Sequence, residues 1–190
     1  YSYDNFHKNG KDIYRVMRVG NVNGEKRNIP YLSPPYAPAL LNDYPESIKK
    51  AVRVFPDNDL IRYKEISFNE KNIYLTDANF FEFFDFQLLK GNPASVLKEP
   101  NSIVLTETTA EKYFGNEDPI GKILVFNTDQ QLKVTGIAAD VPVNSHLNFD
   151  IIIPLESLRP GGNTWLNQWP GNGLFVYVQL NPSIKPEQLI

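Results

Sequence analysis

Apolar and polar positions alternate along much of the chain, and the apolar ones are mostly β-branched or aromatic, which is the signature of strands. The pattern predicts strands near Ile13–Val19, Ala51–Phe55, Leu60–Tyr63, Asn72–Leu75, Ser102–Leu105, Ile123–Asn127, Leu132–Ala138, Phe149–Ile153 and Leu174–Leu180. The last is the clearest. Leu174, Val176, Val178 and Leu180 point one way while Phe175 and Tyr177 point the other. Both faces are apolar, so a central strand is expected.

Three segments carry helical spacing instead. Ser33-Pro34-Pro35 opens the first, with Tyr36, Leu40 and Tyr44 at i, i+4, i+8 before Pro45. The second follows Thr76-Asp77 and carries a stripe of Phe80, Phe81 and Phe84. The third starts at the cap candidate Thr106, aligns Ala110, Tyr113 and Phe114, and stops at Gly115. Asn21 to Gly24 suits a hairpin turn, Gly91-Asn92-Pro93 forms a joint, and Asp57-Asn58-Asp59 reads as a solvated hairpin turn. The longest loop, Arg159 to Gly173, holds both tryptophans, and long loops commonly carry function. Strands and helices are mixed without strict βαβ alternation, so the expected class is α+β.

With 190 residues, 42% hydrophobic and 22% charged, the chain has enough apolar material for a packed core. A formal charge of -3, without clustered Lys and Arg, gives no electrostatic basis for binding nucleic acid. Cysteine is absent, which removes disulfides, thiolate nucleophiles and cysteine–zinc sites and suits an oxidising compartment. No run reaches the roughly 18 to 20 apolar residues of a membrane-spanning helix. The start at Tyr1 reads as the boundary of an excised or processed segment.

The chemistry needed for catalysis is not legible. A phosphate-binding loop would end in Gly-Lys-Ser/Thr, but Gly121-Lys122 is followed by Ile123, and no dinucleotide fingerprint occurs. There is no Gly-x-Ser-x-Gly elbow. His7 and His146 lie far apart and read as surface or capping residues. His146 and Asp150 share i, i+4 spacing, but Asn148-Phe149-Asp150 leads into a strand that would separate them. Asp57-Asn58-Asp59 starts like a calcium loop, then meets Ile61 and Arg62 where a ligand and a glycine are needed. No catalytic, cofactor-binding or metal-binding residue is therefore assigned. Trp165 and Trp169 remain candidates for partner contact, with packing on the sheet the alternative for each.

The series NFFEFFDFQLLKGNPASVLKEPNSIVLTETTAEKYFGNEDPIGK, from Asn79 to Lys122, resembles the MacB-like periplasmic core domain of ABC transporter permeases, in particular FtsX-type permeases of Bacteroidetes-like bacteria. The likeness continues through VTGIAADVPVNSHLNFD, IIIPLESL and FVYVQL, and the opening YSYDNFHKNGKDIYRV is similar to the segment after the family's first transmembrane helix. It implies a porter-like mixed lobe built from residues 1–92 and 151–190, with a smaller, mostly β lobe of residues 93–150 inserted. The ending Gln188-Leu189-Ile190 resembles a helix just beginning, so the end of the porter lobe and further transmembrane segments are expected beyond it.

The same resemblance implies a non-catalytic periplasmic domain of a bacterial inner-membrane exporter, transmitting motion driven by ATP hydrolysis. Its implied partners are a cytoplasmic ABC ATPase reached through transmembrane helices, a second permease copy or paired permease, and a periplasmic adaptor protein. The rival reading is a periplasmic ligand-binding or sensor domain between transmembrane helices, which needs a pocket of about 300 Å³ or more with convergent polar groups. A hydrolase with a dispersed site is the other.

Overall fold

A computed structural model describes residues 10–158 and 164–189. Its strands are β1 (Ile13–Val16), β2 (Arg18–Val22), β3 (Glu25–Ile29), β4 (Ile48–Tyr63), β5 (Ile66–Thr76), β6 (Leu88–Lys90), β7 (Ser102–Thr106), β8 (Ile123–Phe126), β9 (Gln130–Ala138), β10 (Ile151–Pro154) and β11 (Phe175–Leu180). The α-helices are α1 (Tyr36–Asp43), α2 (Phe80–Phe83) and α3 (Glu107–Phe114). The α+β class follows directly from this mixture.

Nine strands share one sheet, in the order β1-β11-β4-β5-β10-β7-β9-β6 with β8 bridging β4 and β9. Six of them close a ring: β4 pairs with β5, β5 with β10, β10 with β7, β7 with β9, β9 with β8, and β8 returns to β4. Strand alternation then separates two cores. Ile73 and Leu75 of β5, Ile103 and Leu105 of β7, and Ile151 and Ile153 of β10 join Tyr113 and Phe114 of α3 in one cluster. Their intervening neighbours Val104 and Ile152 join the phenylalanine cluster of Phe80, Phe81, Phe83, Phe84, Phe86 and Phe149. A third cluster packs α1 against Val176, Val178 and Leu180 of β11.

β11 lies between β1 and β4, with Val176, Val178 and Leu180 facing α1 and Tyr177 facing the phenylalanine cluster. Its two-sided apolar pattern is thus explained by two different cores. Ile13 of β1 lies opposite Gln179 of β11, so the chain enters β1 and leaves β11 at the same end of the sheet.

The segment Asp57-Asn58-Asp59 is not a hairpin turn. β4 runs unbroken from Ile48 to Tyr63, and the register shift between Asp57 and Asp59 is a bulge within it. A bulge bends a strand and re-aims its edge. Before it β4 pairs with β11, and beyond it with β8, so the bulge lets one strand serve both neighbours. The true reversal comes at Lys64-Glu65, where Lys64 takes a φ of 52°.

The helix after Asp77 is also shorter than expected. Phe84 is already extended at φ −105°, ψ 141°, leaving a single turn. Phenylalanines at 80, 81, 83, 84 and 86 are all buried while Glu82, Asp85 and Gln87 are exposed, so from Phe84 on burial alternates as in an extended chain. Strand β1 ends at Val16 and β2 begins at Arg18, where Ile13–Val19 reads as one strand in the sequence. The hairpin turn at Asn23-Gly24 is as expected, with φ of 54° and 86°.

Candidate interaction surface

The loop that holds both tryptophans is anchored to the start of α1. Leu32 N–H donates to Leu174 O at 2.8 Å, and Leu174 N–H donates back to Leu32 O at 3.2 Å. The Ser33 hydroxyl donates to Trp169 O and lies 3.1 Å from Asn172 Oδ1. These bonds join residues more than a hundred positions apart, beyond any local sequence signal.

The two tryptophans occupy different environments. Trp165 is half-buried, edge-on to Phe55 at 5.2 Å between ring centroids, against the ring core. Gly171 has a φ of +98°, and a Cβ there would lie 3.0 Å from Trp165 Nε1, so this turn needs glycine for both its backbone and its neighbour. Trp169 sits edge-on to Tyr36 of α1 at 5.2 Å and keeps 55% of its surface exposed. Tyr31, next to Leu32, stacks on Phe175 at 5.2 Å, and the Arg15 guanidinium lies over the Phe175 ring at 5.7 Å from its centroid. Trp169 and Tyr31 each present exposed aromatic surface, and Val19 of β2 and the neighbouring Met17 are exposed too. Sequence reasoning had no reason to join Tyr31, Tyr36 and Phe175 to Trp169, because the bridge Leu32–Leu174 is long-range.

A clamp fixes the frame under this surface. The Arg53 guanidinium grips the Asp77 carboxylate through Nε at 3.0 Å and Nη2 at 2.6 Å, and Nη1 reaches Pro34 O at 3.2 Å. The Arg53 N–H adds a bond to Asp77 Oδ2 at 2.8 Å. One side chain therefore ties β4 to the end of β5 and to the entry of α1.

Elsewhere the polar chemistry is structural in geometry. The buried carboxylate of Glu70 accepts the Tyr113 hydroxyl at 2.5 Å and Lys112 Nζ at 2.8 Å, joining β5 to α3. Burial first, and the Glu70 carboxylate next, push the Tyr113 phenol well above its ordinary value. Burial likewise raises Tyr74 and Asp57, the latter against a bond from Asn58 N–H. His146 Nε2 lies 2.9 Å from the Tyr177 hydroxyl, while Asp150 accepts from Asn72 Nδ2 at 2.9 Å, so the two are engaged separately. His7 lies outside the described residues. Among the described residues no three His, Asp or Glu side chains converge on a point where a metal could sit, and no helix is long and apolar enough to cross a membrane.

The family model of the MacB-like periplasmic core domain matches residues 1–190. The chain belongs to this family. Three solved structures share its fold. A domain of a protein assigned as a permease from Porphyromonas gingivalis superposes with a TM-score of 0.79 at 23% identity, covering 96% of this chain and 81% of that one. The periplasmic region of MacB from Actinobacillus actinomycetemcomitans gives 0.66 at 19%, covering 95% and 79%. The extracellular domain of the noncanonic ABC-type transporter YknZ from Gram-positive bacteria gives 0.61 at 15%, covering 93% and 84%. No match is found among the curated proteins. The MacB-like periplasmic core is the extracytoplasmic part of an ABC-type transporter permease, and membership assigns this chain to that compartment.

Proposed function

We propose that this MacB-like domain is a non-catalytic coupling element of an exporter: it carries motion from transmembrane helices, driven by a cytoplasmic ABC ATPase, to surfaces that contact substrate or a periplasmic partner. The observation that supports this most is the antiparallel pairing of β1 with β11, which sets the entry of β1 beside the exit of β11. Two membrane helices attached there would move one sheet edge. From that edge a continuous ladder runs through β11 into β4, whose 16 residues extend on the order of 50 Å at about 3.3 Å per residue. β4 reaches β8 at its far end, inside the 93–150 segment.

In this reading residues 1–92 and 151–190 form the driven lobe and residues 93–150 the carried one. The permease works as a pair of copies, and Trp169, exposed against Tyr36 of α1, makes partner contact while Trp165 holds its loop to the sheet. The test is the full permease with its ATPase in proteoliposomes, with export and ATP hydrolysis measured side by side. Trp169→Ser should lower export several-fold with ATP hydrolysis retained, and His146→Ala should leave both unchanged. Normal export by Trp169→Ser refutes the contact. Loss of export by a folded, normally inserted His146→Ala overturns the non-catalytic reading.

A further inference from the structure

α3 and β6 enclose a groove of about 320 Å³. Its apolar lining comes from Leu89, Ala110 and Ile137, and Leu89 is 43% exposed although it belongs to a strand. The charges around it are uneven. Lys90 is paired with Asp118 at 2.8 Å, and Lys122 is paired with Glu117. These pairs hold the Glu117 and Asp118 carboxyls below their ordinary values, so both stay ionised. Asp140 is engaged at the N-terminus of α3, accepting from Thr108 N–H at 3.1 Å and from its hydroxyl at 2.6 Å. Glu107 and Glu111, one turn apart on α3, line the same groove and make none of these pairs. Lys90 and Lys122 are thus paired, Lys64 lies over the Tyr63 ring and acts on Glu117 through space, and the Glu107 and Glu111 carboxylates are left over beside an apolar floor.

β6 adds a second feature. It is the last strand of the sheet path, bonded to β9 on one side and to no strand on the other among the described residues. A free strand edge is a template for an extended segment, whose alternate side chains fall on one face and whose backbone supplies the affinity.

We infer that this groove is a docking site for an extended segment of a partner protein that lies along the outer edge of β6, places an apolar side chain over Leu89, Ala110 and Ile137, and directs a flanking Lys or Arg to Glu107 and Glu111. The free edge argues for a peptide rather than a compact small molecule, and the surplus carboxylates fix the sign of its charge. The site is separate from the Trp169 surface and does not depend on it.

The experiment uses this chain and a fluorescein-labelled peptide, Ser-Lys-Val-Lys-Leu-Lys-Ser, followed by anisotropy and by amide hydrogen exchange. The peptide should bind saturably, more weakly as salt rises, with slowed exchange at Leu88–Lys90. Replacing its Val and Leu by Ser, or its Lys by Glu, should weaken binding at least tenfold. The double variant Glu107→Gln/Glu111→Gln, and separately Leu89→Ser, should each do the same. Ile123→Ser, exposed on β8, should leave affinity unchanged, and melting curves of all variants establish that they fold. Equal binding by the Ser-substituted peptide marks a charge effect only and overturns the inference. So does unchanged affinity in the variants, exchange protection elsewhere than β6, or no binding.

Discussion

Gly91 is where backbone and packing make the same demand, and the two can be separated by experiment. It follows β6 with φ +103°, and a Cβ placed there would approach Val96 Cγ1 to 2.5 Å, Thr135 O to 3.0 Å and Gly136 Cα to 3.2 Å. Val96 can turn aside, but the latter two are backbone atoms of β9. Gly91→Ala therefore meets a conformational cost of about 1–3 kcal/mol and an overpacking cost of about 1–3 kcal/mol where β6 lies on β9. The sum, about 2–6 kcal/mol, is a large part of a typical domain stability of about 5–15 kcal/mol. At about 2–4 °C per kcal/mol for a chain this long, the melting temperature should fall on the order of 10 °C. Gly121→Ala is the control, since Gly121 has φ +83° with nothing within 4 Å of the added Cβ. It should show the conformational part alone, about half the drop. Thermal unfolding of the two variants by circular dichroism decides the matter. Equal melting temperatures would show that the close approach of Gly91 to β9 costs nothing, and the reasoning would fail.

Two further outcomes follow from the polar clamps. Because the Tyr113 and Tyr74 phenols are raised in the folded protein, the unfolded chain loses these protons first. Their contribution is complete below the unfolded value near 10 and is lost as pH rises beyond it, so urea unfolding should show stability falling above about pH 10; Tyr113→Phe should make that fall shallower, and an unchanged slope refutes the assignment. Asp77→Ala strands the Arg53 guanidinium, whose side chain is 12% exposed against 23% for Asp77, and should cost about 2–4 kcal/mol, somewhat below the range for a fully buried pair. The double variant Arg53→Met/Asp77→Leu should recover most of that loss by the same denaturation assay; no recovery would mean that the pair does more than neutralise itself.

What the sequence reveals, and what it hides, follows from the range of each interaction. β11 is legible because alternation on both faces leaves few alternatives to a central strand. α3 is legible because Ala110, Tyr113 and Phe114 share one face and Gly115 ends it at φ +57°. β3 is not, since Glu25-Lys26-Arg27-Asn28 is exposed and has no apolar period to read. β4 looks like two strands because Pro56 and Asp57-Asn58-Asp59 imitate a turn, when the polar run marks a bulge that hands the strand from β11 to β8. The family was legible from a linear series of joints and caps. The groove beside β6 was not, because Leu89, Glu107, Glu111 and Ile137 meet only after three elements pack.

The sheet order also constrains how motion could pass through the domain. β1 is held to β11 by four residue pairs, β11 to β4 by six, and β4 to β5 by nine. Load applied along parallel strand axes is shared among the bonds of each ladder, so resistance to slip rises from the chain ends inward. Of these three ladders β1–β11 is the softest and the β4–β5 ribbon the stiffest, while the ring contains two still shorter joints, β4–β8 and β10–β7, of two pairs each. Beyond it the six-strand ring closes on itself, which removes the free edges along which strands could shear. In this geometry the short ladders β1–β11, β4–β8 and β10–β7 would yield before the β4–β5 ribbon, so the ribbon is the part of the sheet that holds its shape under load.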